Sequence, residues 1–254
     1  MKQNKRHNYI LDKLERNNLV EVQEIVNHFQ VSPITARRDL MTLEEEGLLV
    51  RTHGGAVKSA APAITPLFSF NEKSAINQEQ KIYICGLAAS LINDGDTIFM
   101  DNGSTIFHLC PFLKNFKKLI VITNSLPVAA DLLQYENIKV NLIGGEVDNE
   151  RKAVFGYFAE TMLENYHADK AFIGCDGISL QKGLTAGDEK EASISGKIGA
   201  MAENIYLLCD SSKFEKNAYI RVAPLSLIDI LVTDKGIDTD LINAYKKHYV
   251  KIIN

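Results

Sequence analysis

Polar, glycine-rich stretches recur through the second part of the sequence, each directly after an apolar run. They are Asp101-Asn102-Gly103-Ser104-Thr105, Thr123-Asn124-Ser125, Gly144-Gly145, Gly174-Cys175-Asp176-Gly177, Asp210-Ser211-Ser212-Lys213 and Thr233-Asp234. Any one of these is explained by turn formation and helix capping. Their repetition points to one edge that gathers amides, hydroxyls and carboxylates around a small polar ligand. Asp101 to Thr105 is the most specific stretch. A glycine turn with Ser104 and Thr105 opening the helix TIFHLCPFL would set backbone N–H groups and two hydroxyls at a positive helix end, which suits phosphate. No G-K-S/T follows, and the G-x-G-x-x-G spacing is absent, so a nucleoside triphosphate or NAD is disfavoured and a phosphate monoester fits. Lys213 is either a mobile cation for that anion or a solvated loop charge. Asp176, Asp188 and Glu191 are carboxylates that could serve as a general base.

A second candidate lies near the N-terminus. Ser32 can cap a helix, Pro33 suits its first position, and Gly47 suits its end, so the residues predict a helix from Pro33 to about Glu46. Ala36, Leu40 and Leu43 share its inner face, which turns Ile34, Thr35, Arg37, Arg38 and Met41 outward. Adjacent arginines near the start of such a helix can enter a major groove, one reaching a guanine edge and the other a phosphate. The alternative is that Arg37 and Arg38 pair with Asp39 or with Glu44 to Glu46 on a solvated face. The expected nucleic-acid contacts are Ser32, Pro33, Ile34, Thr35, Arg37 and Arg38, with Arg51 and His53 on a following hairpin.

Two rhythms position these residues. Before residue 57 the pattern is short helices: Ile10, Leu11 and Leu14 mark one, and Val22, Ile25, Val26 and Phe29 mark a second. After Gly47, LLVRTHGGAV predicts two short strands around a glycine turn, completing a winged helix-turn-helix over residues 1–57. Residues 58–76, with Pro62 and Pro66, read as a linker that packs partly through Leu67, Phe68 and Phe70. From 77 to 254, the runs DTIFM, KLIVIT, IKVNLI, DKAFIG, NIYLLC, IDILVT and YVKII alternate with segments of helical composition. Continuous Val/Ile/Leu runs are strands buried on both faces, so the fold class is α/β with a mostly parallel sheet.

Composition sets the outer limits. The 254 residues are 46% hydrophobic and 24% charged, with 28 Lys+Arg against 32 Asp+Glu and a net charge of -4. Intrinsic disorder and nucleic-acid binding through bulk positive charge are excluded. Residues 1–58 carry +1 and the remainder -5, an asymmetry of the right sign for DNA but small. The apolar stretch from Ile82 to Ile92 is far short of the roughly 18 to 20 residues that span a bilayer. The basic N-terminus has no apolar signal core behind it, so the expected location is the cytosol. Cys85, Cys110, Cys175 and Cys209 are widely spaced and beside apolar residues, as small buried hydrophobes are, which argues against a metal site or disulfide framework.

The run VSPITARRDLMTLEEEGLLVRTHGGAV (31–57) resembles the signature of the DeoR family of bacterial transcriptional regulators, departing from it mainly at Ala36, where a larger aliphatic is usual. GDTIFMDNGST, VITNSLPVA, LIGGEV, ADKAFIGCDGIS, KGLT, the pair Glu191-Ala192 and LLCDSSKF follow the family's sensor motifs in order. The resemblance implies a sensor fold similar to ribose-5-phosphate isomerase and repression of a sugar or nucleoside operon with induction by a phosphorylated sugar. The implied partners are operator DNA and a phosphosugar effector, with no cofactor and no membrane. The expected effector contacts are Asp101, Gly103, Ser104, Thr105, Asn124, Asp176, Glu191 and Lys213. A phosphosugar isomerase with a DNA-binding appendage is the rival, but the stretches GCDGIS and KGLTA lack the D-G-A-D-E and K-G-G-G patterns of those enzymes. Activation rather than repression stays open. One three-helix module buries too little surface for high specificity, so a homo-oligomer, dimer or tetramer, is expected.

Overall fold

The computed structural model describes residues 2–45, 48–52, 54–58, 70–198, 201–248 and 250–254. The chain divides into two compact units, Met1–Pro66 and Leu67–Asn254.

In the first unit α1 (Lys2–Asn17), β1 (Leu19–Glu21), α2 (Val22–Phe29), α3 (Pro33–Glu45), β2 (Leu49–Arg51) and β3 (Gly55–Lys58) follow in order. Ile10 and Leu14 of α1, Ile25 of α2, and Ala36, Leu40 and Leu43 of α3 meet in one apolar cluster, as their spacing requires. Gln30 adopts φ 52°, which makes the tight break between α2 and α3. Ser32 Oγ then accepts the Thr35 N–H at 3.2 Å, the cap that starts α3. Glu46 and Gly47, the expected end of that helix, lie outside the described residues. The expected hairpin is present as β2 and β3, and β1 pairs with the other edge of β3. Three residues are too few to display an alternating pattern, so β1 leaves no periodic signal in the sequence. Gly55 is required by this pairing, because a Cβ there would stand 2.0 Å from the Val20 carbonyl oxygen.

The second unit contains α4 (Phe70–Ala75), α5 (Gln78–Ala89), β4 (Thr97–Met100), α6 (Ser104–Phe107), α7 (Cys110–Leu113), β5 (Leu119–Thr123), α8 (Leu126–Leu132) and β6 (Ile138–Leu142). Then come β7 (Glu146–Asp148), β8 (Ala153–Phe155), α9 (Tyr157–Leu163), β9 (Ala168–Ile173), β10 (Gly177–Ser179), β11 (Gly183–Ala186) and α10 (Glu189–Ile198). The chain closes with β12 (Ala202–Leu208), β13 (Ile220–Ala223), β14 (Ile230–Val232), α11 (Thr239–Lys246) and β15 (Lys251–Ile253).

Seven of these strands form one sheet in the order β15-β14-β12-β9-β4-β5-β6. Every pair in it is parallel. They are the seven apolar runs of the sequence. Ile98, Met100, Val121, Phe172 and Leu208 pack with Ile84 and Cys85 of α5 and with Leu113 of α7. Phe99, Ile122, Ala171, Ile173 and Leu207 pack with α9, α10 and Tyr245 of α11. Burial on both faces is why the strands read as unbroken apolar runs rather than as alternation.

Two features depart from expectation. Residues 70–75, inside the stretch read as a linker, form α4, because Phe70 buries itself against the Phe107 ring, edge to face at 5.5 Å. Residues 59–69, with Leu67 and Phe68, lie outside the described residues. Small antiparallel pieces, β7-β8 and β10-β11-β13, also decorate the parallel sheet. The thiols of Cys85, Cys110 and Cys209 are buried, that of Cys175 is partly exposed, and all four are free.

Candidate functional site

Each unit presents one concentration of polar chemistry. In the first, α3 exposes Ser32, Pro33, Ile34, Arg37 and Arg38, with Thr35 half-exposed. Two of the carboxylates that could have neutralised the two arginines, Asp39 and Glu44, are engaged elsewhere. Asp39 is buried and receives Arg6 through two bonds, at 2.6 and 3.0 Å, with His7 Nε2 at 3.3 Å. Glu44 receives the Arg51 Nε at 2.6 Å and the Arg51 backbone N–H at 2.9 Å, and this N–H followed by the guanidinium lowers its pKa. Among the described residues the Arg37 and Arg38 guanidinium groups therefore have no ion-pair partner. A cleft of about 340 Å³ lies between α3 and the hairpin, lined by Val22, Arg37, Leu40, Glu44, Arg51, Thr52 and Gly55. Arg51 thus ties the hairpin to α3, and His53 lies outside the described residues.

In the second unit the chain runs β4 to β5 to β6 in one direction across the sheet and β9 to β12 to β14 to β15 in the other. Strand order therefore reverses between β4 and β9, and a crevice opens outside the strand ends at such a reversal. Asp101 stands there. Its Oδ1 accepts the Gly103 N–H and its Oδ2 the Gly174 N–H, both at 2.7 Å, so one buried carboxylate ties the tip of β4 to that of β9. Burial pushes its pKa up to about 7 against the pull of those two donors.

Lysines bond to Ser104 and to Asp176 nearby. Lys81 of α5 is only 4% exposed. Its ammonium donates to Ser104 Oγ at 3.1 Å and to the Lys73 carbonyl. Burial above all lowers its pKa to about 8; the Lys213 and Lys73 charges add to that, and Asp210 opposes it. Among the described residues no carboxylate forms an ion pair with Lys81. Lys73 of α4 donates to Asp176 Oδ1 at 2.8 Å, and the Gly187 N–H donates to Asp176 Oδ2 at 2.9 Å. Burial works to raise the Asp176 carboxyl, but the Lys73 ammonium, the Gly187 N–H and the Lys213 charge together outweigh it and the pKa falls below the ordinary value. Lys213 is half-buried, without an ion-pair partner among the described residues, and its charge acts on both Lys81 and Asp176.

Toward β5 and β8 the lining changes character. Glu191 of α10 lies 3.0 Å from Arg151 Nη1 and accepts from Asn102 Nδ2 at 3.4 Å. Burial holds the Glu191 pKa above its ordinary value, with the Lys73 charge opposing and the Asp176 carboxylate adding to the rise. Arg151 Nη1, although within ion-pair range, is not aligned to donate a hydrogen bond. Asn124 is fully buried and donates to Asn102 Oδ1 at 3.3 Å and to the Val154 carbonyl at 3.2 Å. Asp188 caps α10 through the Lys190 and Glu191 N–H groups, at 2.8 and 3.3 Å.

The fold thus gathers Asp101, Gly103, Ser104, Asp176 and Lys213 about the strand tips, and a bonded chain runs from the buried Asn124 through Asn102 to Glu191. Thr105 is buried behind Ser104, its carbonyl accepting the Cys85 thiol at 3.1 Å. The expected long helix after Gly103 is two short ones, α6 and α7, so little helix dipole is available there. Lys73, Lys81 and Arg151 were not singled out from sequence. Lys81 did leave a signal: with Ile84, Cys85 and Ala88 it occupies the inner face of α5, where a lysine is out of place unless it has a purpose. Lys73 and Arg151 sit in polar surroundings that look like any solvated loop.

Comparison with known proteins agrees with this layout. A DeoR-like helix-turn-helix domain is matched over residues 6–60 and a DeoR C terminal sensor domain over residues 76–235. The glycerol-3-phosphate regulon repressor of Escherichia coli (strain K12) is 31% identical over 252 residues, spanning 99% of this chain and 99% of that protein. The lactose phosphotransferase system repressor of Lactococcus lactis subsp. lactis is 36% identical over 251 residues, spanning 98% of this chain and 97% of that protein. Among solved structures, ribose 5-phosphate isomerase A from Methanocaldococcus jannaschii has a TM-score of 0.41 at 22% identity over 55% of this chain and 56% of that one. That likeness is too distant to speak for activity. Both family domains are present in order along one chain, and the chain belongs to the DeoR family: it is a DNA-binding transcriptional regulator, not an enzyme.

Proposed function

We propose that this regulator is a repressor of a sugar-catabolic operon, and that a phosphorylated sugar in the β4–β9 crevice lowers its affinity for operator DNA. The observation that carries this reading is the buried Lys81 ammonium on Ser104. A charge desolvated without a carboxylate partner is costly, and a phosphate at the same spot relieves that cost with charge-assisted hydrogen bonds. Lys81, Ser104 and Lys213 would hold the phosphate, with the Gly103 turn against it. Asp176, Glu191, Arg151 and Asn102 would meet hydroxyl groups, while Asp101, Thr105 and Asn124 would act from behind, by holding the strand tips in place.

On the DNA side, Arg37 and Arg38 would reach base edges and phosphate from α3, with Ser32, Pro33, Ile34 and Thr35 beside them. Two copies of the chain would present two α3 helices to half-sites about one helical turn, or a multiple, apart. Weakening operator binding 100-fold asks the effector to prefer the non-binding state by roughly 2.7 kcal/mol, within reach of a few charge-assisted hydrogen bonds. The two relatives are named for a glycerol-3-phosphate regulon and a lactose phosphotransferase system, in keeping with a phosphate monoester here. A thermal-shift panel of sugar phosphates against inorganic phosphate tests the reading. At 100 times its Kd the effector stabilises the protein by about 2.7 kcal/mol, and no shift for any monoester at millimolar concentration would sink the proposal.

A further inference from the structure

Two of the four thiols meet. β9 and β12 are parallel neighbours in the sheet, with Tyr206 beside Phe172 and Leu207 beside Ile173. Two residues further along each chain, at the same register position, stand Cys209 and Cys175. Neighbouring strands lie roughly 4.7–4.9 Å apart, inside the Cα separation that a disulfide bridges. Cys209 is buried, Cys175 is half-buried against the same apolar cluster, and both thiols are free. The Cys209 pKa stands well above the ordinary thiol value, foremost through a hydrogen bond with the Cys175 side chain and then through burial. Among the described residues no group of three or more His, Cys, Asp and Glu could hold a metal ion, which leaves the pair to thiol chemistry. Cys85 and Cys110, which act on one another from α5 and α7, are fully buried and out of reach of a solute.

We propose that Cys175 and Cys209 are an oxidation site: a hydroperoxide converts them to a reversible disulfide, and that bond changes the regulator's affinity for its operator. Cys175, the accessible member, attacks the peroxide as its thiolate. The O–O bond breaks, the leaving oxygen takes up the thiol's proton and departs as water or an alcohol, and a sulfenic acid remains on Cys175. The Cys209 sulfur then attacks the Cys175 sulfur; the S–O bond breaks, and the departing hydroxide takes the Cys209 proton to give water. The peroxide gains two electrons and the thiol pair loses two. Its raised pKa keeps Cys209 unreactive towards peroxide by itself, so it acts only to resolve the sulfenic acid beside it. The bond requires sulfurs about 2.05 Å apart, well inside hydrogen-bond contact, so the two strand tips must draw together. One tip holds Gly174, which donates to Asp101, and the other holds Asp210, which accepts the Ser212 N–H at 3.0 Å.

The test uses the full chain, reduced and then titrated with hydrogen peroxide, and an operator duplex selected from random-sequence DNA. The intact mass should fall by two hydrogens, and peptide mapping should join the segments that carry Cys175 and Cys209. The melting midpoint should rise by roughly 5 °C, because the cross-link restricts the unfolded chain. Oxidised protein should bind the duplex at least about 3-fold more weakly, and dithiothreitol should restore mass, midpoint and affinity. The weakening, as opposed to a change of either sign, rests on the repressor reading above, in which the anion-free form holds the operator. Cys209→Ala should stop at the sulfenic acid, trapped on Cys175 by dimedone, with no change in operator affinity. If that variant folds poorly, Cys175→Ser at the half-exposed position serves in its place and should show neither mass loss nor altered affinity. Absence of the disulfide, a bond mapped to Cys85 and Cys110, or a Cys175–Cys209 bond that leaves operator affinity unchanged overturns the proposal. Tighter binding on oxidation, lost in both variants, would count against the repressor reading and leave the oxidation site standing.

Discussion

Asp101 shows how one side chain can join the tips of two strands. Its two oxygens serve two backbone N–H groups from different strand tips, so Asp101→Asn must set an amide NH2 against one of them. The expected cost is about 2 kcal/mol of unfolding free energy, measured by urea denaturation, with phosphate binding weakened as well. Lys81 makes a prediction in pH. Its pKa of about 8 in the folded, anion-free protein means that phosphate affinity should fall as pH rises through 8, approaching about tenfold per unit. The stability of the anion-free protein should move the other way. Between pH 8 and the ordinary lysine value of 10.5 the unfolded chain holds a proton that the folded one has released, so unfolding free energy rises with pH across that window. Calorimetric titration with phosphate and chemical denaturation between pH 7 and 10, each compared with Lys81→Met, separate the two effects. Lys81 could have been found in the sequence by its helical face. Lys73 could not, because nothing local distinguishes a lysine that spans to Asp176, 103 residues later, from one in water.

At the scale of elements, α3 carries the sharpest division of labour. Among the described residues Arg37 and Arg38 have no ion-pair partner, while Arg6 and His7 occupy Asp39 and Arg51 occupies Glu44. Arg37→Ala and Arg38→Ala should each weaken operator binding by roughly 1–3 kcal/mol, the one that meets phosphate also reducing the salt slope by about one. Arg51→Ala should act differently, loosening the hairpin from α3 and costing less in binding. A double-mutant cycle with Glu44→Gln should show coupling between those two residues in thermal unfolding, and additivity there would refute the tie. Gly55→Ala would drive a Cβ onto the Val20 carbonyl and part β1 from β3. A loss of about 2 kcal/mol in the first unit is expected, seen as a lowered melting midpoint and weakened DNA binding. α3 and its cap were legible because helix signals are local. β1 was not, since a three-residue strand is defined only by the partner it meets.

For the whole molecule, the chain folds as a small reader and a larger sensor. The seven parallel strands were legible one by one as apolar runs, since burial on both faces imposes a composition that needs no partner to be recognised. Their order was not. Nothing in the runs says that β9 returns to lie beside β4 rather than continuing past β6, yet that choice creates the crevice and brings Asp101 to Gly174. A homo-oligomer on a pair of half-sites is expected by light scattering of the protein with and without operator duplex. A strictly monomeric complex on one half-site would contradict it. By itself the sequence determined the helix-turn-helix, the seven strands of the parallel sheet, their alternation with helices, and the outward exposure of Arg37 and Arg38, because propensity, capping and periodicity act over a few residues. Only the tertiary structure decided that Lys81 meets Ser104, which carboxylates are already taken, and that α4 belongs to the sensor, because those depend on contacts between residues tens to more than a hundred positions apart, fixed by packing rather than by any local pattern.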